Sequence, residues 1–328
     1  MSRSQALPAL PDPEPARHLL IAWYGRHARE LPWRGDSDPY HVLVSEIMLQ
    51  QTQVDRVISK YREFLERFPS IELLARSPLA DVIRQWQGLG YNRRAVRLWN
   101  IARQVRDRSQ GRLPPDVDAL LRLEGIGRYT AAAVASFAFH LDVATVDTNV
   151  RRVLRRLYDG VEAPPRTETA LWRLAESLVP AGRSAAWNQA LMDLGATICV
   201  SQRPRCLACP VQHACVAFAQ FQASNDRDRD AFFADAEGAY PARAAQPRFE
   251  GSTRYYRGKV VATLGALPLG AKVPMDALGR SIREGTEGYD AGWLRPLLDG
   301  LARDGLIEMS DVEGSGGPAV SLPSSEGS

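Results

Sequence analysis

Lysine is nearly missing from this sequence. Of its 41 basic residues only Lys60, Lys259 and Lys272 are lysines, a usage that fits a GC-rich genome. Cysteine is almost as scarce, with four residues in 328. No run of about 18 apolar residues exists, which excludes a membrane-spanning helix. Residues 1–15 are polar and Pro-rich and lack an apolar h-region, so no secretory signal is expected. No membrane partner is expected, and the compartment implied is a reducing cytoplasm. Between Arg17 and Phe221 no alternating apolar–polar stretch appears, which excludes a sheet over that region.

What remains is ordinary globular composition, 45% hydrophobic and 24% charged. The length implies two domains or three. The net charge of +3 conceals an asymmetry: residues 1–222 carry 29 Lys+Arg against 22 Asp+Glu, and residues 223–328 carry 12 against 16. The first two thirds suit a polyanionic partner; the remainder suits one poorly.

The organisation expected is a flexible leader over 1–15, an all-α core over 16–222, a polar linker over 223–252, a small module over 253–309 and a Gly/Ser-rich disordered tail over 310–328. Apolar spacing near 3.6 residues predicts helices over 54–68, 79–87, 93–110, 116–123, 128–140, 149–158, 168–178 and 185–196. Asp38-Pro39 marks a further helix start. The module shows short helices and an apolar end at Leu306–Met309, which suggests a winged helix. Its helix from Trp293 to Asp304 carries Arg295 and Arg303 against Asp299 and Asp304, a weak basis for reading DNA.

All four cysteines lie within 17 residues, as Cys199, Cys206, Cys209 and Cys215, spaced C-x6-C-x2-C-x5-C. Four thiolates from one loop suit a tetrahedral zinc or an iron–sulfur cluster. A reducing compartment disfavours two disulfides. Zinc sites favour two short knuckles and only one CxxC is present, so the spacing leans towards iron–sulfur without excluding zinc. Arg203 and Arg205 sit between ligands, where a rigid loop can offer them to phosphate.

Leu121–Thr130 joins two helices through Gly125-Ile126-Gly127. Two glycines allow positive φ and close backbone approach, and the next helix opens with free N–H groups, a ready anion site. A plain tight turn is the competing explanation. Glu46 shares a helix face with Val42 and Leu49; desolvation raises a carboxyl pKa, as a general acid requires. A hydrogen-bonded structural Glu is the alternative. Asp147 follows the apolar segment 143–146 and precedes a helix, so it is an N-cap candidate as well as a fixed carboxylate.

Several motifs stand in one order: Leu31-Pro-Trp-Arg34, Ser45–Thr52, Trp86–Tyr91, Leu123–Thr130, Val146–Val150 and the cysteine loop. Together they resemble the helix-hairpin-helix superfamily of DNA glycosylases over about residues 17–220, and within it the adenine DNA glycosylases of the MutY family. The resemblance implies a two-lobed all-α fold with a 4Fe–4S cluster on the four cysteines. It implies a bacterial, cytoplasmic, monomeric base-excision-repair enzyme. Its substrate would be double-stranded DNA bearing adenine opposite 8-oxoguanine or guanine. By the same resemblance Glu46 is the catalytic acid, Asp147 stabilises the sugar cation, and Tyr129 and Asn149 assist. Arg34 and Gln189 lie near the flipped adenine. Gln51, Thr52, Leu89 and Tyr91 wedge into the helix. Gly125, Gly127 and Arg128 hold phosphate.

Relatives that also nick DNA use a lysine two residues after the second hairpin glycine; Tyr129 stands there, so a monofunctional glycosylase is expected. Residues 253–328 show no α/β pattern of the family's usual MutT-like C-terminal domain and are too short for it, and Asn92 replaces a frequent second aromatic after Tyr91. The rival of the same fold is a thymine glycosylase acting on T·G mispairs. Tyr129 and Glu46 disfavour a thymine-glycol glycosylase/lyase. From another class, the alternative is a non-catalytic DNA-binding iron–sulfur protein.

Overall fold

Proline and glycine set most of the helix boundaries. In chain order the computed structural model has α1 (Glu14–His27), α2 (Pro39–Leu49), α3 (Val54–Arg67), α4 (Ile71–Arg76), α5 (Leu79–Gln85), α6 (Arg93–Ser109) and α7 (Val117–Leu121). There follow α8 (Arg128–Phe137), α9 (Thr148–Leu154), α10 (Glu168–Ser177), α11 (Ser184–Thr197) and α12 (Val216–Ala223). The C-terminal part adds α13 (Thr253–Gly265), β1 (Val273–Pro274), α14 (Met275–Ile282), α15 (Ala291–Arg303), β2 (Glu308–Ser310) and β3 (Ala319–Ser321). The structure describes residues 13–224, 232–233, 248–283, 291–311 and 318–323. Every helix expected from spacing is present. The one expected over 149–158 is split, with α9 passing into a π-helical turn at Arg155–Asp159.

The chain divides into two units, each discontinuous in sequence. One joins Met1–Pro39 to Arg128–Ala244; the other joins Tyr40–Gly127 to Ala245–Ser328. The core of the first is built on Leu20, Val150, Leu154, Leu171, Trp187, Leu191 and Leu194, with Cys199, Cys209 and Cys215 packed against it. In the second, α3 buries Val57, Tyr61 and Phe64, one face at helical spacing. Phe64 lies 4.9 Å from Phe68 and meets Trp86 edge-on at 5.9 Å, a preferred aromatic geometry. Truncating such a buried aromatic to alanine costs about 3–5 kcal/mol.

The small module belongs to this second unit rather than standing apart from it. Its strands form an antiparallel sheet in the order β1-β3-β2, with Val320 opposite both Val273 and Met309. Helix, strand, two helices and two strands in that order make a winged-helix arrangement. Arg84 on α5 donates to the carbonyls of Gly265 and Leu267, and Gln87 donates to Val261 O at 3.4 Å.

Two expectations need correction. Residues 319–321 are not disordered: they form the central strand, and Ala319–Leu322 are buried. The rest of the expected tail, at 312–317 and 324–328, lies outside the described residues. The polar linker also carries two phenylalanines that pack. Phe233 is buried, its ring 6.0 Å from Phe221 and beneath the Arg156 guanidinium at 5.2 Å. Two adjacent aromatic rings gain more from burial than a polar run can offset locally. Residues 1–12 of the expected leader and 225–231 and 234–247 of the linker lie outside the described residues.

Candidate active site and cysteine loop

Asp147 ends the apolar segment 143–146 in an extended conformation and caps α9. Its Oδ1 accepts from Val150 N at 2.7 Å, and its Oδ2 accepts from Asn149 Nδ2 at 3.1 Å. Burial pushes its pKa above the ordinary carboxylate value, although these hydrogen bonds and the Arg152 charge oppose the shift. Asn149 is fixed in turn. Its Oδ1 accepts from Arg152 at 3.0 Å, and a Cβ on Gly195 would stand 2.7 Å from its Cβ. Arg152 also donates to Gly195 O at 2.7 Å and Cys199 O at 2.9 Å. The capping and fixed-carboxylate accounts of Asp147 are therefore one arrangement.

Arg34 is held by Asp193 in a two-bond fork, at 2.6 and 2.7 Å. Asp193 is wholly enclosed (0% side-chain exposure) and also accepts from Arg29 Nε at 2.7 Å. Burial alone would raise its pKa; the Arg34 bonds and charge, with those of Arg29, outweigh it and hold the carboxyl below the usual range. Arg34 reaches Tyr24 Oη at 3.0 Å, and Tyr24 donates to Gln189 Oε1. Burial of Tyr24 raises its pKa. Arg34 and Gln189 are thus brought together through two residues that sequence reasoning missed. Asp193 had left a signal, being the sole charged residue of α11.

The four cysteines form no disulfide and line one cavity with Ile198, Phe218 and Phe233. Arg156 donates to Val200 O and Ser201 O at 2.7 Å each and lies 3.6 Å from Cys199 Sγ. Burial, with the other cysteines' charges, pushes Cys209 up to about 12 and Cys215 up to about 11. Such thiols ionise only beside a cation. Among the described residues no three His, Cys, Asp or Glu stand close enough to hold a single metal ion. Four sulfurs around a shared cavity suit a group of several atoms better than a point ion. Arg203 and Arg205 are both exposed on this loop. Arg128 is half exposed and donates to Glu176 Oε1 at 2.9 Å, with its guanidinium 4.0 Å from the Trp172 ring centre.

In the second unit Glu46 is 6% exposed on α2, where every residue from Val42 to Met48 is buried. The loop after α2 and the loop 86–92 are tied together by Arg94, a buried residue that sequence reasoning missed. Arg94 donates to the carbonyls of Met48 at 2.7 Å, Gln50 at 2.5 Å and Gly90 at 2.9 Å, and to Thr52 Oγ1 at 2.8 Å. Burial lowers its pKa to about 10, so it stays charged at neutral pH. The two loops carry Gln51 and Tyr91, both in the left-handed region at φ 57° and 47°. Non-glycine residues pay for that conformation only where surroundings enforce it, and such residues cluster at functional sites. Gln51 is exposed and Tyr91 is 42% exposed, its Oη 3.3 Å from an Arg254 nitrogen of α13.

Leu89 departs from expectation. It is 2% exposed and forms part of the core, because the backbone that bears it is drawn inward by Arg94. Exposed wedge candidates are therefore Gln51 and Tyr91. The hairpin also differs in detail. Gly125 has φ 101° and a Cβ there would stand 2.7 Å from Arg97 Cγ, whereas Gly127 has no positive φ and nothing within 4 Å of a Cβ. Gly125 makes the turn; Gly127 leaves bare backbone. Tyr129 follows as the second residue of α8, half-buried.

Residues 44–177 match the family model described as HhH-GPD superfamily base excision DNA repair protein. An adenine DNA glycosylase of Mycolicibacterium smegmatis is 37% identical over 294 residues, 89% of this chain and 92% of that protein. An adenine DNA glycosylase of Mus musculus is 43% identical over 63% of this chain and 42% of its own length. Among solved structures, a thermostable thymine-DNA glycosylase aligns with a TM-score of 0.59 at 32% identity, covering 63% of this chain and 97% of that one. The similarity to the mycobacterial protein covers most of both chains, and on that footing the chain belongs to the adenine DNA glycosylase family of the HhH-GPD superfamily.

Proposed function

We propose that this protein removes adenine mispaired with 8-oxoguanine or guanine from duplex DNA, as a monofunctional hydrolase of the N-glycosidic bond. The observation that carries the mechanism is Asp147, a capped and partly desolvated carboxylate held by two hydrogen bonds. A base inside a duplex is reachable only after flipping. Glu46 then donates a proton to adenine N7. The C1′–N9 bond breaks with its electron pair leaving on the base, and the sugar becomes an oxocarbenium-like cation. Asp147, ionised, stabilises that cation. Water adds at C1′ as the Glu46 carboxylate takes its proton back, the two-carboxylate logic of sugar hydrolysis.

Tyr129 and Asn149 assist, the latter by orienting Asp147. Gln189 and Arg34 line the base pocket, with Tyr24 and Asp193 positioning them. Gln51 and Tyr91 wedge beside the orphaned base, with Thr52 and Leu89 supporting them from the pinned loops. Gly125, Gly127, Arg128, Arg203 and Arg205 contact phosphate. Cys199, Cys206, Cys209 and Cys215 suit a 4Fe–4S cluster, which would brace the loop that presents those arginines.

Likeness to the thymine-DNA glycosylase supports a second reading, thymine release from T·G. The discriminating experiment is single-turnover base excision on A·8-oxoguanine, A·G, T·G and A·T duplexes beside Glu46→Gln. Adenine release from the first two, strand breaks only after alkali and none from the variant is the expected result. Thymine release with adenine untouched would move the protein to the rival reading. Borohydride is expected to trap no covalent adduct, because no lysine is near Tyr129 in sequence.

A further inference from the structure

The winged module bears on the DNA-binding surface through α6. This helix carries six arginines and one aspartate. Its buried stripe holds Leu98, Ile101, Ala102 and Val105, and the opposite face presents Arg93, Arg97, Asn100, Gln104 and Arg108. That face is the floor of a groove of about 660 Å³. Two glycines seat its walls. On one side Gly125 of the hairpin turn rests on Arg97, where a Cβ would find 2.7 Å to Arg97 Cγ. On the other side Gly305, at φ 69°, lies where a Cβ would stand 3.4 Å from Val96 Cγ1. Asp304 beside it pairs with Arg93 at 3.2 Å and with Arg257. The end of α15 is thereby fixed with Arg303 on the groove's rim.

The charge of the groove is positive after its acids are counted. Asp304 is engaged as described, and Asp107 accepts from Arg106 at 2.7 Å. The Glu124 backbone exchanges hydrogen bonds with the side-chain amide of Gln104, and the Glu124 carboxylate is the one remaining acid of the lining. Against these stand Arg97, Arg103, Arg108 and Arg303, with Arg93 engaged by Asp304. From Arg93 to Arg108 the helix spans about 22 Å. That length matches roughly six phosphates of one strand at about 3.4 Å of helix axis each. Guanidinium groups bind phosphate in forked pairs.

We propose that this groove binds the sugar–phosphate backbone of duplex DNA, so that the winged module extends the contact made by the hairpin turn, with Arg303 supplying a phosphate contact of its own. The proposal rests on the reading that the chain acts on duplex DNA. It gives the module a role in backbone affinity rather than in base recognition, which its mixed charge disfavours.

The test is binding of the full chain to mispaired and fully paired duplexes of one length, by fluorescence anisotropy, between about 50 and 200 mM salt. Wild type is compared with Arg303→Gln, Arg303→Lys and the double variant Arg303→Gln/Arg108→Gln. Arg303→Gln is expected to weaken both duplexes by the same severalfold factor. The slope of log K against log salt should become shallower by about 0.9 for each arginine removed. Arg303→Lys, which keeps the charge, should restore the slope. An unchanged slope in the double variant would overturn the proposal, as would a loss confined to the mispaired duplex. Failure of the wild type to bind either duplex would instead overturn the reading on which it rests.

Discussion

Asp147 and Asp193 sit in the same unit, and burial acts on both in the same direction, yet their partners set opposite outcomes. Asp147 is raised, so its ionised form opposes folding. Its stabilising contribution is present below the ordinary carboxylate range and is lost as pH rises through the raised value. Asparagine caps helices as well as aspartate does. Asp147→Asn is therefore expected to abolish excision while melting no lower than wild type at pH 7, with the difference closing towards pH 4. Asp193 is lowered by its two arginines, so its contribution is present above the ordinary range and fades in acid. Asp193→Asn leaves Arg29 and Arg34 partnered by a neutral amide, and a loss of about 3 kcal/mol is expected in urea at pH 7. That loss should shrink as pH falls. Parallel pH trends for the two variants would contradict these assignments.

Two elements depend on single buried contacts. Arg94 holds the loops bearing Gln51 and Tyr91 in a conformation their side chains disfavour. Arg94→Met should cost about 3 kcal/mol. It should also speed amide exchange over residues 88–92 more than elsewhere. α9 and α11 meet at Gly195, where an added methyl would overlap Asn149. Gly195→Ala is expected to lower single-turnover excision through Asp147, with little change in DNA affinity. The helices themselves were legible because apolar spacing, proline and glycine all agree at their ends. Arg94 was harder to see, since α6 is rich in arginine; its clue was position, four residues before Leu98 and seven before Ile101 on the apolar stripe. The burial of Leu89 was not legible, because a motif conveys order along the chain and not which side of a loop faces inward. β3 escaped notice because three residues are too few to show alternation against a Gly/Ser-rich background.

At the scale of the molecule, the division into units does not follow the division by composition. The charge asymmetry drew a boundary near residue 222, whereas the second unit reunites 40–127 with 245–328. Burial explains the difference: the module's Val260, Val261 and Leu264 lie on α13, which packs on α5. A chain ending at Ala244 would keep Phe233 on the cysteine cavity but strip that face and leave Arg84 and Gln87 without their carbonyl partners. It is expected to unfold several degrees lower, with proteolysis beginning in 40–127 and not around the cysteine loop. The strand order adds a temporal condition. β3 is the only strand paired with both others, and it follows both in sequence. During synthesis β1 and β2 must therefore emerge and wait, as open edges, until residues 319–321 arrive. The sheet is assembled after all three strands, and a chain that stops before residue 319 has a wing with no centre.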